Sequence, residues 1–179
     1  VYAFSDVHDL AITGVKPNKN VAAEGFSVIL AVNVTNQGGY TETFNVTAYA
    51  NTTVVQTETI TLASENYATV LLTWNTAGFA YGNYTIKAVA DLVPGETDTT
   101  DNTYINGIVS VTLPGDVDNS GEVNIFDIGL VVRALWTTPA DGGTPGEWWA
   151  WNPDCDLDTN GVVDAFDLYI VTINYGKHV

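Results

Sequence analysis

Two twelve-residue segments near the end of the chain carry side-chain oxygens at the same spacing. The first runs from Asp116 to Asp127 and the second from Asp156 to Asp167, and each has a glycine at its sixth position. Oxygen donors at alternate positions around a sharp glycine turn are typical of an EF-hand-type calcium loop, because calcium takes several hard oxygen ligands at flexible geometry. Two matched copies argue against an accidental acidic turn. We therefore predict two bound Ca²⁺ ions.

The predicted ligands follow from the loop positions, with a backbone carbonyl at position 7. They are Asp116, Asp118, Ser120, Glu122, Asn124 and Asp127 in the first loop, and Asp156, Asp158, Asn160, Val162, Asp164 and Asp167 in the second.

Apolar residues at helical spacing follow each loop, whereas prolines precede both. Pro114 and Pro153 argue against a helix that leads into either loop, because proline disfavours helical geometry in the residue before it. Each unit is therefore predicted to be a loop followed by one helix, and the two helices are expected to pack together. The residues at helical spacing are Ile128, Val131, Val132, Leu135 and Trp136 after the first loop, and Phe166, Leu168, Ile170, Val171, Ile173 and Tyr175 after the second.

The duplicated loop, the Asp at its twelfth position and the missing preceding helix resemble the dockerin family. The resemblance covers about a third of the chain, from Gly115 to Tyr175. It implies a small calcium-binding module that docks onto a cohesin partner. Dockerins of cellulose-degrading complexes commonly carry small hydroxyl residues at loop positions 10 and 11, where this chain has Ile125-Phe126 and Ala165-Phe166. The resemblance thus implies a partner surface at these four residues with a different chemistry.

The charge of the chain excludes nucleic acid as a partner. The formal net charge is −16 with only five basic residues among 179, so no basic patch can form. Two bound calcium ions would reduce the negative charge by about four units. Cys155 is the single cysteine, so no intrachain disulfide is possible. We expect it to be a small buried filler rather than an interchain bridge, and the flanking Asp154 and Asp156 disfavour a reactive thiolate.

Residues 1–113 predict an all-β domain, and residues 114–179 the calcium-binding module, with Leu113–Gly115 as the junction. Seven short alternating strands separated by turn signals predict an immunoglobulin-like β-sandwich. The predicted fold is therefore mostly β, with a small α-helical domain of two loop–helix units after the sandwich. The predicted strands are Leu10–Val15, Phe26–Val34, Phe44–Ala50, Val54–Leu62, Val70–Trp74, Tyr84–Ala90 and Tyr104–Leu113.

Four asparagines in the β region lie in glycosylation sequons. They are Asn33, Asn45, Asn51 and Asn83. Each lies at a position that alternates with the apolar residues of its strand, so we expect each side chain to point to solvent. The motif is short, and its chance occurrence in a Thr- and Asn-rich domain stays an alternative to N-linked glycans.

The β region also resembles the CARDB family, an adhesion-related β-sandwich of prokaryotic surface proteins. The resemblance rests on Asp9-Leu-Ala-Ile, Val32–Gly38, Leu72–Trp74 and the segment from Pro94 to Asn102. It implies a structural or adhesive module without an active site.

Three further segments each allow two interpretations. Val1–Phe4 extends the first strand, or forms an arm that adds to a neighbour's sheet; the extension is favoured. The acidic stretch from Glu96 to Asn102 is a solvated turn, which is favoured, or a further cation site. Trp148, Trp149 and Trp151 cap the small helical core or the end of the sandwich, which is favoured, or form an aromatic platform for a sugar or a protein partner.

These observations predict a non-catalytic extracellular protein, secreted or at the surface of a prokaryotic cell, bacterial or archaeal. No apolar run is long enough to span a membrane, and a chain that begins at Val1 fits a mature secreted protein or a trimmed one. The calcium-ordered module would mediate assembly with a protein partner, either another copy in a filament or a cohesin-like domain. In the alternative hypothesis the chain is an adaptor that docks a separate cohesin while the sandwich or the Trp cluster binds polysaccharide. An enzyme is not expected, since no nucleophile, phosphate or zinc motif is present and most acidic candidates are committed to calcium.

Overall fold

The structure, a computed structural model, describes residues 7–145 and 147–179 and is mostly β with a helical tail. Residues Val1–Phe4, for which a strand extension or an arm was predicted, lie outside the described residues. The strands are β1 Leu10–Pro17, β2 Val21–Ala23, β3 Ser27–Asn36, β4 Glu42–Ala50, β5 Thr53–Leu62, β6 Tyr67–Asn75, β7 Gly82–Ala90 and β8 Thr103–Thr112. The helices are α1 Ile125–Ala134 and α2 Ala165–Asn174, and a single 3₁₀ turn covers Pro153–Cys155.

The strands form two sheets, with the orders β1-β3-β6 and β2-β8-β7-β4-β5. Eight strands are described where seven were predicted, so the predicted count is wrong by one. The missed strand is β2, which pairs in parallel with β8, with Val21 opposite Ser110. Three residues are too few for the alternation that identified the other strands.

Among the described residues, one compact unit comprises residues 7–17, Ile29–Trp74 and Thr85–Ile108. Its described part has a core of alternating side chains, as the sequence predicts. In β3 the buried residues include Leu30, Val32 and Val34, and in β4 they include Val46 and Ala48. Alternation buries one face of each strand because successive side chains point to opposite faces of a sheet.

The second compact unit comprises Asn18–Val28, Asn75–Tyr84 and Val109–Val179. It contains the helical tail together with segments that the sequence analysis assigned to the first domain, and the boundary at residue 113 stays a prediction. The two helices contact each other, as expected. The core of this unit is formed by Ala23, Leu113, Val117, Val123, Val131, Ala134, Cys155, Leu157, Val163, Ile170 and Val171.

Each helix buries fewer of its apolar residues than the sequence predicts. Val131 of α1 is buried and Ile128 is partly buried, but Val132 and Trp136 are exposed. In α2 the residues Ile170 and Val171 are buried and Leu168 is partly buried. The predicted core positions Phe166, Ile173 and Tyr175 are exposed. Two ten-residue helices share a small core with the loops and a few residues such as Ala23 and Leu113, so much of their apolar surface stays outside it.

Candidate metal centres

The first loop is organised by its two terminal aspartates. Asp116 accepts hydrogen bonds from the backbone N–H of Ser120 at 2.9 Å and of Gly121 at 3.0 Å. Asp127 accepts from the backbone N–H of Val117 at 2.8 Å and of Asp118 at 3.3 Å. Gly121 has a φ of +86°, a conformation that glycine adopts without steric cost. The backbone therefore wraps around the first and last carboxylates of the loop.

The second loop repeats these contacts position by position. Asp156 accepts from the N–H of Asn160 and of Gly161, both at 3.1 Å. Asp167 accepts from the N–H of Leu157 at 2.7 Å and of Asp158 at 3.4 Å. The repeat seen in the sequence is thus a repeat of geometry.

The last aspartate of each loop also starts the helix that follows. Asn124 and Asp164 are the N-cap residues of α1 and α2, and their side chains accept from the N–H of Phe126 and Phe166. Asp127 and Asp167 reach back to the N-cap N–H, each at 2.8 Å, and complete a capping box. A group bound at these carboxylates is therefore coupled directly to the start of each helix.

The structure brings together three of the predicted ligands in each loop. Carboxylate oxygens of Asp116, Asp118 and Asp127 all lie within 4.8 Å of one another, and those of Asp156, Asp158 and Asp167 do the same. Burial raises the pKa of Asp116 and of Asp167, and it raises the pKa of Asp156 to about 6. Burial therefore disfavours the ionised form of one aspartate in the first cluster and of two in the second. Three carboxylates this close together are a donor set that fits a hard divalent cation.

The remaining predicted ligands lie on the same loops, and the Nδ2 of Asn160 donates to the Asp158 carboxylate at 2.9 Å. Ser120 donates its hydroxyl to the carbonyl oxygen of Glu122 at 3.2 Å. Asn160 accepts from the N–H of Val162 at 2.8 Å. Asn124 and Asp164 serve as helix caps, as described above. Their roles as ligands stay predictions.

Each loop is also tied to the segment that follows the opposite helix. In the second loop, the carbonyl oxygen of Val163 accepts from the N–H of Trp136 at 2.6 Å. In the first loop, the carbonyl oxygen of Val123 accepts from the N–H of Gly176 at 2.8 Å. Both post-helix residues have positive φ, +66° for Trp136 and +82° for Gly176. The two units therefore interlock by reciprocal backbone hydrogen bonds.

A lysine far away in sequence contacts the second loop. Lys19 is only 2% exposed, and its Nζ donates to the backbone carbonyl of Asp156. Burial lowers the pKa of Lys19, while the charge of Asp156 opposes this shift. Sequence analysis missed this residue, because 137 positions separate it from Asp156 and no motif connects them.

Six of the seven predicted partner residues are exposed, and Trp151 is half-buried. Several of the exposed ones share one surface, which we call the α1 face. An open cleft of about 370 Å³ is lined by Ile125, Phe126, Gly129, Leu130, Arg133 and Asp118. The Arg133 guanidinium lies 5.5 Å from the ring centroid of Trp148. Phe126 is 71% exposed and Trp149 is 73% exposed. Ala165 and Phe166 occupy the equivalent exposed positions at the start of α2.

The three tryptophans separate into two environments. Trp151 packs against the core of the second unit, as expected for a core-filling residue. Trp148 and Trp149 are exposed and are not among the side chains packed against this core, so capping of the helical core is wrong for them. Cys155 is fully buried, which confirms the predicted filler role, and burial raises the pKa of its thiol to about 12.

The four sequon asparagines lie on the β region, and three are exposed. Asn33, Asn51 and Asn83 are exposed, as the alternation with apolar residues predicts, whereas Asn45 is half-buried. The Asn45 Nδ2 donates to Asp91 at 2.9 Å, so a glycan there would have to replace this hydrogen bond. Glycan occupancy at all four positions stays a prediction.

No helix in the described part of the chain has the length and apolar content that a membrane crossing requires.

Solved structures match the β region. A CARDB domain from Pyrococcus furiosus, crystallised in complex with di-metal ions, has a TM-score of 0.50 and 23% identity. That match covers 63% of this chain and 95% of the other. A solution structure of the same Pyrococcus furiosus domain has a TM-score of 0.50 and 24% identity, and covers 60% and 98% of the two chains. A domain of a putative cell surface protein from Methanosarcina acetivorans is 27% identical with a TM-score of 0.47, and covers 59% and 92%. The two Pyrococcus furiosus structures indicate a shared fold.

No protein among the curated sequences matches the chain. The CARDB family model, in contrast, matches residues 7–106, which is more than half of the 179 residues. The matched segment contains the seven strands β1 to β7 and the first residues of β8. CARDB is a non-catalytic, cell-surface adhesion-type domain of prokaryotes. The protein therefore belongs to the CARDB family.

Proposed function

We propose that this protein is a non-catalytic extracellular assembly protein, in which a calcium-ordered, dockerin-like module after the CARDB sandwich binds a protein partner. The observation that carries the proposal is the double role of Asp127 and Asp167. Each belongs to a three-carboxylate cluster and each caps a helix that presents exposed apolar residues at its first turn. Metal binding and display of the partner surface thus share the same side chains.

Calcium is the cation that the donor set favours. Every predicted side-chain ligand is oxygen, which suits hard cations and not zinc or copper. Magnesium needs near-ideal octahedral geometry and keeps most of its waters, whereas these loops offer many oxygens from one flexible segment. When bound, calcium would supply positive charge that offsets the mutual repulsion of the three carboxylates in each loop.

A variant pair tests the calcium step. Asp116→Ala and Asp156→Ala each remove one carboxylate from a cluster, and we expect each to lose one bound Ca²⁺ per chain in calorimetric titration. The control Glu58→Ala removes an exposed acidic side chain of β5 and should leave calcium binding unchanged. The calcium step is wrong if both loop variants bind as much calcium as the unaltered chain.

The α1 face supports a protein partner. It combines an exposed aromatic ring, aliphatic side chains and one guanidinium, which are the residue types enriched at protein interfaces. Trp136 adds a second sign of functional constraint, since it is 70% exposed and holds a positive φ that is unfavourable for a side chain of its size. Location at the cell surface is part of the proposal, and the family assignment supports it.

The partner is either another copy of this chain or a cohesin-like domain of a different protein. Sedimentation velocity of the purified chain, with calcium and with a chelator, separates the two. Oligomers that appear with calcium and disappear with Phe126→Ala indicate self-assembly into a filament. A monomer at high concentration, in calcium, favours the adaptor hypothesis. Phe166→Ala is the matched control, because it removes the equivalent ring of the other repeat and shows whether one helix face or both carry the contact.

A second candidate function is polysaccharide binding, which the exposed Trp148 and Trp149 favour. Exposed indole rings can stack on sugar rings. Titration of soluble cell-wall or plant polysaccharides, followed by tryptophan fluorescence, should give a saturable change that Trp149→Ala abolishes. No change with any of the polysaccharides would leave the protein partner as the function of this surface.

A further inference from the structure

The sandwich contains a cluster of oxygen atoms that the tail loops do not explain. Among the described residues, the Oδ1 atoms of Asp9, Asp101 and Asn102 are buried and have no hydrogen-bond partner. Asn102 is 97% buried, with 3% of its surface exposed. Burying such an oxygen without a partner costs free energy, and native proteins rarely leave several of them together.

Hydrogen bonds hold these three residues next to one another. Gln37 bridges two of them: its backbone N–H donates to the carbonyl oxygen of Asp9 at 2.8 Å, and its Nε2 donates to Asp101 Oδ2 at 3.2 Å. The carbonyl oxygen of Asp101 accepts from the N–H of Ile12 at 2.8 Å. The start of β1 is therefore tied to the segment that leads into β8.

Glu96 fixes the orientation of Asn102. Its Oε1 accepts from the N–H of Leu10 at 2.8 Å and from Asn102 Nδ2 at 3.0 Å, and its Oε2 accepts from the N–H of Val93 at 3.0 Å. Because Nδ2 is committed to Glu96, the unpartnered end of the Asn102 amide is the oxygen. The buried atom of Asn102 that has no partner is thus an acceptor and not a donor, as in Asp9 and Asp101.

The charges around Asp9 are all of one sign. Burial raises the pKa of Asp9, and the carboxylates of Asp101, Asp98 and Glu96 raise it further. An ionised Asp9 therefore lacks the compensation that a cation would give. Asp98 is exposed and its Oδ1 accepts from Thr100, as the solvated-turn interpretation predicts, but that interpretation is wrong for Asn102.

We propose that Asp9, Asp101 and Asn102 form a third cation site, which takes a hard divalent ion of the Ca²⁺ class and joins the start of β1 to the segment before β8. Two carboxylate oxygens and one amide oxygen match the ligand preferences of calcium, and water completes the coordination. The ion satisfies the three acceptors at once and offsets the repulsion between the two aspartates. Glu96 and Gln37 act as the scaffold that positions these ligands.

Calorimetric titration of the metal-free full chain with Ca²⁺ tests this site. We expect three ions per chain, and two for Asp9→Asn, which keeps the shape of the side chain and removes its charge. Glu58→Gln is the matched control and should still bind three. An Asp9→Asn chain that binds as many ions as the unaltered chain would overturn the proposal. If the tail loops bind no calcium, the unaltered chain takes up one ion and Asp9→Asn none, so the two proposals fail separately.

Thermal unfolding distinguishes a ligand from a purely structural cluster. Without metal, the Asp9→Asn chain should be at least as stable as the unaltered chain, because carboxylate repulsion is relieved. Added calcium should raise the melting temperature of Asp9→Asn by less than it raises that of the unaltered chain. A structural role alone predicts the same calcium-dependent gain in both chains, which would contradict the site. Should Asp9→Asn fail to fold, Mn²⁺ added to the unaltered chain must broaden the amide resonances of Leu10 and Asn102. Sharp resonances for both in saturating Mn²⁺ would also overturn the proposal.

Discussion

The two tail loops have the same internal hydrogen bonds but different surroundings. The second loop is attached to the segment Asn18–Val28 of its own compact unit: Asp154 accepts from the N–H of Asn20 at 2.8 Å, and Thr159 donates to the carbonyl oxygen of Ser27 at 2.7 Å. The first loop is held by the end of the chain, since the N–H of Val179 donates to the carbonyl oxygen of Gly121 at 3.0 Å. The residues that the two loops share thus specify the carboxylate cluster. Residues outside the repeat specify the segment to which each loop is attached.

Charge is the main difference between the loops. The buried Lys19 lies beside Asp156 and lowers its pKa against the effect of burial. For Asp116 the neighbouring charge that shifts the pKa is the carboxylate of Asp127, which raises it. The second loop therefore has a basic side chain that offsets part of its negative charge, although burial outweighs it and the pKa of Asp156 is still raised to about 6.

The largest expected effect comes from removing the first aspartate of each loop. With calcium at a hundredfold its dissociation constant, the loss of one ion costs about 2.7 kcal/mol of unfolding free energy. Asp156→Ala should cost more than Asp116→Ala, because it also removes the largest of the four carboxylate charges that favour the charged form of the buried Lys19. Chemical denaturation of both variants, with and without calcium, measures this difference. Equal losses would show that Lys19 does not distinguish the loops.

Replacement of Lys19 tests the charge difference between the two loops by changing the lysine instead of an aspartate. Lys19→Met removes a positive charge from beside the second loop, so we expect the calcium affinity of that loop to rise roughly tenfold, about 1.4 kcal/mol. The amide resonances of Gly121 and Gly161 report on the two loops separately, and only the titration midpoint of Gly161 should move. Lys16→Met, at an exposed position of β1, is the control. A parallel change in both midpoints would contradict a local effect of Lys19.

The smallest expected effects come from the two post-helix residues with positive φ. Trp136→Gly relieves an unfavourable conformation at an exposed site and should raise the unfolding free energy by up to about 1 kcal/mol. Gly176→Ala should lower it by about 1 kcal/mol, although a Cβ there meets no neighbouring atom, because alanine tolerates positive φ poorly. Opposite signs in thermal unfolding support the equivalence of these positions. A loss in Trp136→Gly would mean that the indole contributes packing that outweighs the strain.

Much of the fold and of the tail loops could be predicted, because their signals are local. Alternation identified the strand of Leu30, Val32 and Val34, and loop spacing identified Asp116 and Asp127, since both depend on neighbours in the chain. The short strand β2 and the contact of Lys19 with Asp156 could not be predicted, because they depend on pairing over long sequence separations. The aromatic residues were the other failure: Phe166 and Trp149 fit a core by type, but the small helical unit has no space inside for them.

The central claim is that both tail loops bind calcium and that binding orders the module. The most direct test is a Ca²⁺ titration of the metal-free full chain followed through the amide resonances of Gly121 and Gly161. We predict that both resonances shift and saturate by about 1 mM calcium, the range of extracellular modules, and that they return after chelation. Resonances of both glycines that stay unchanged at several times that concentration would contradict the account.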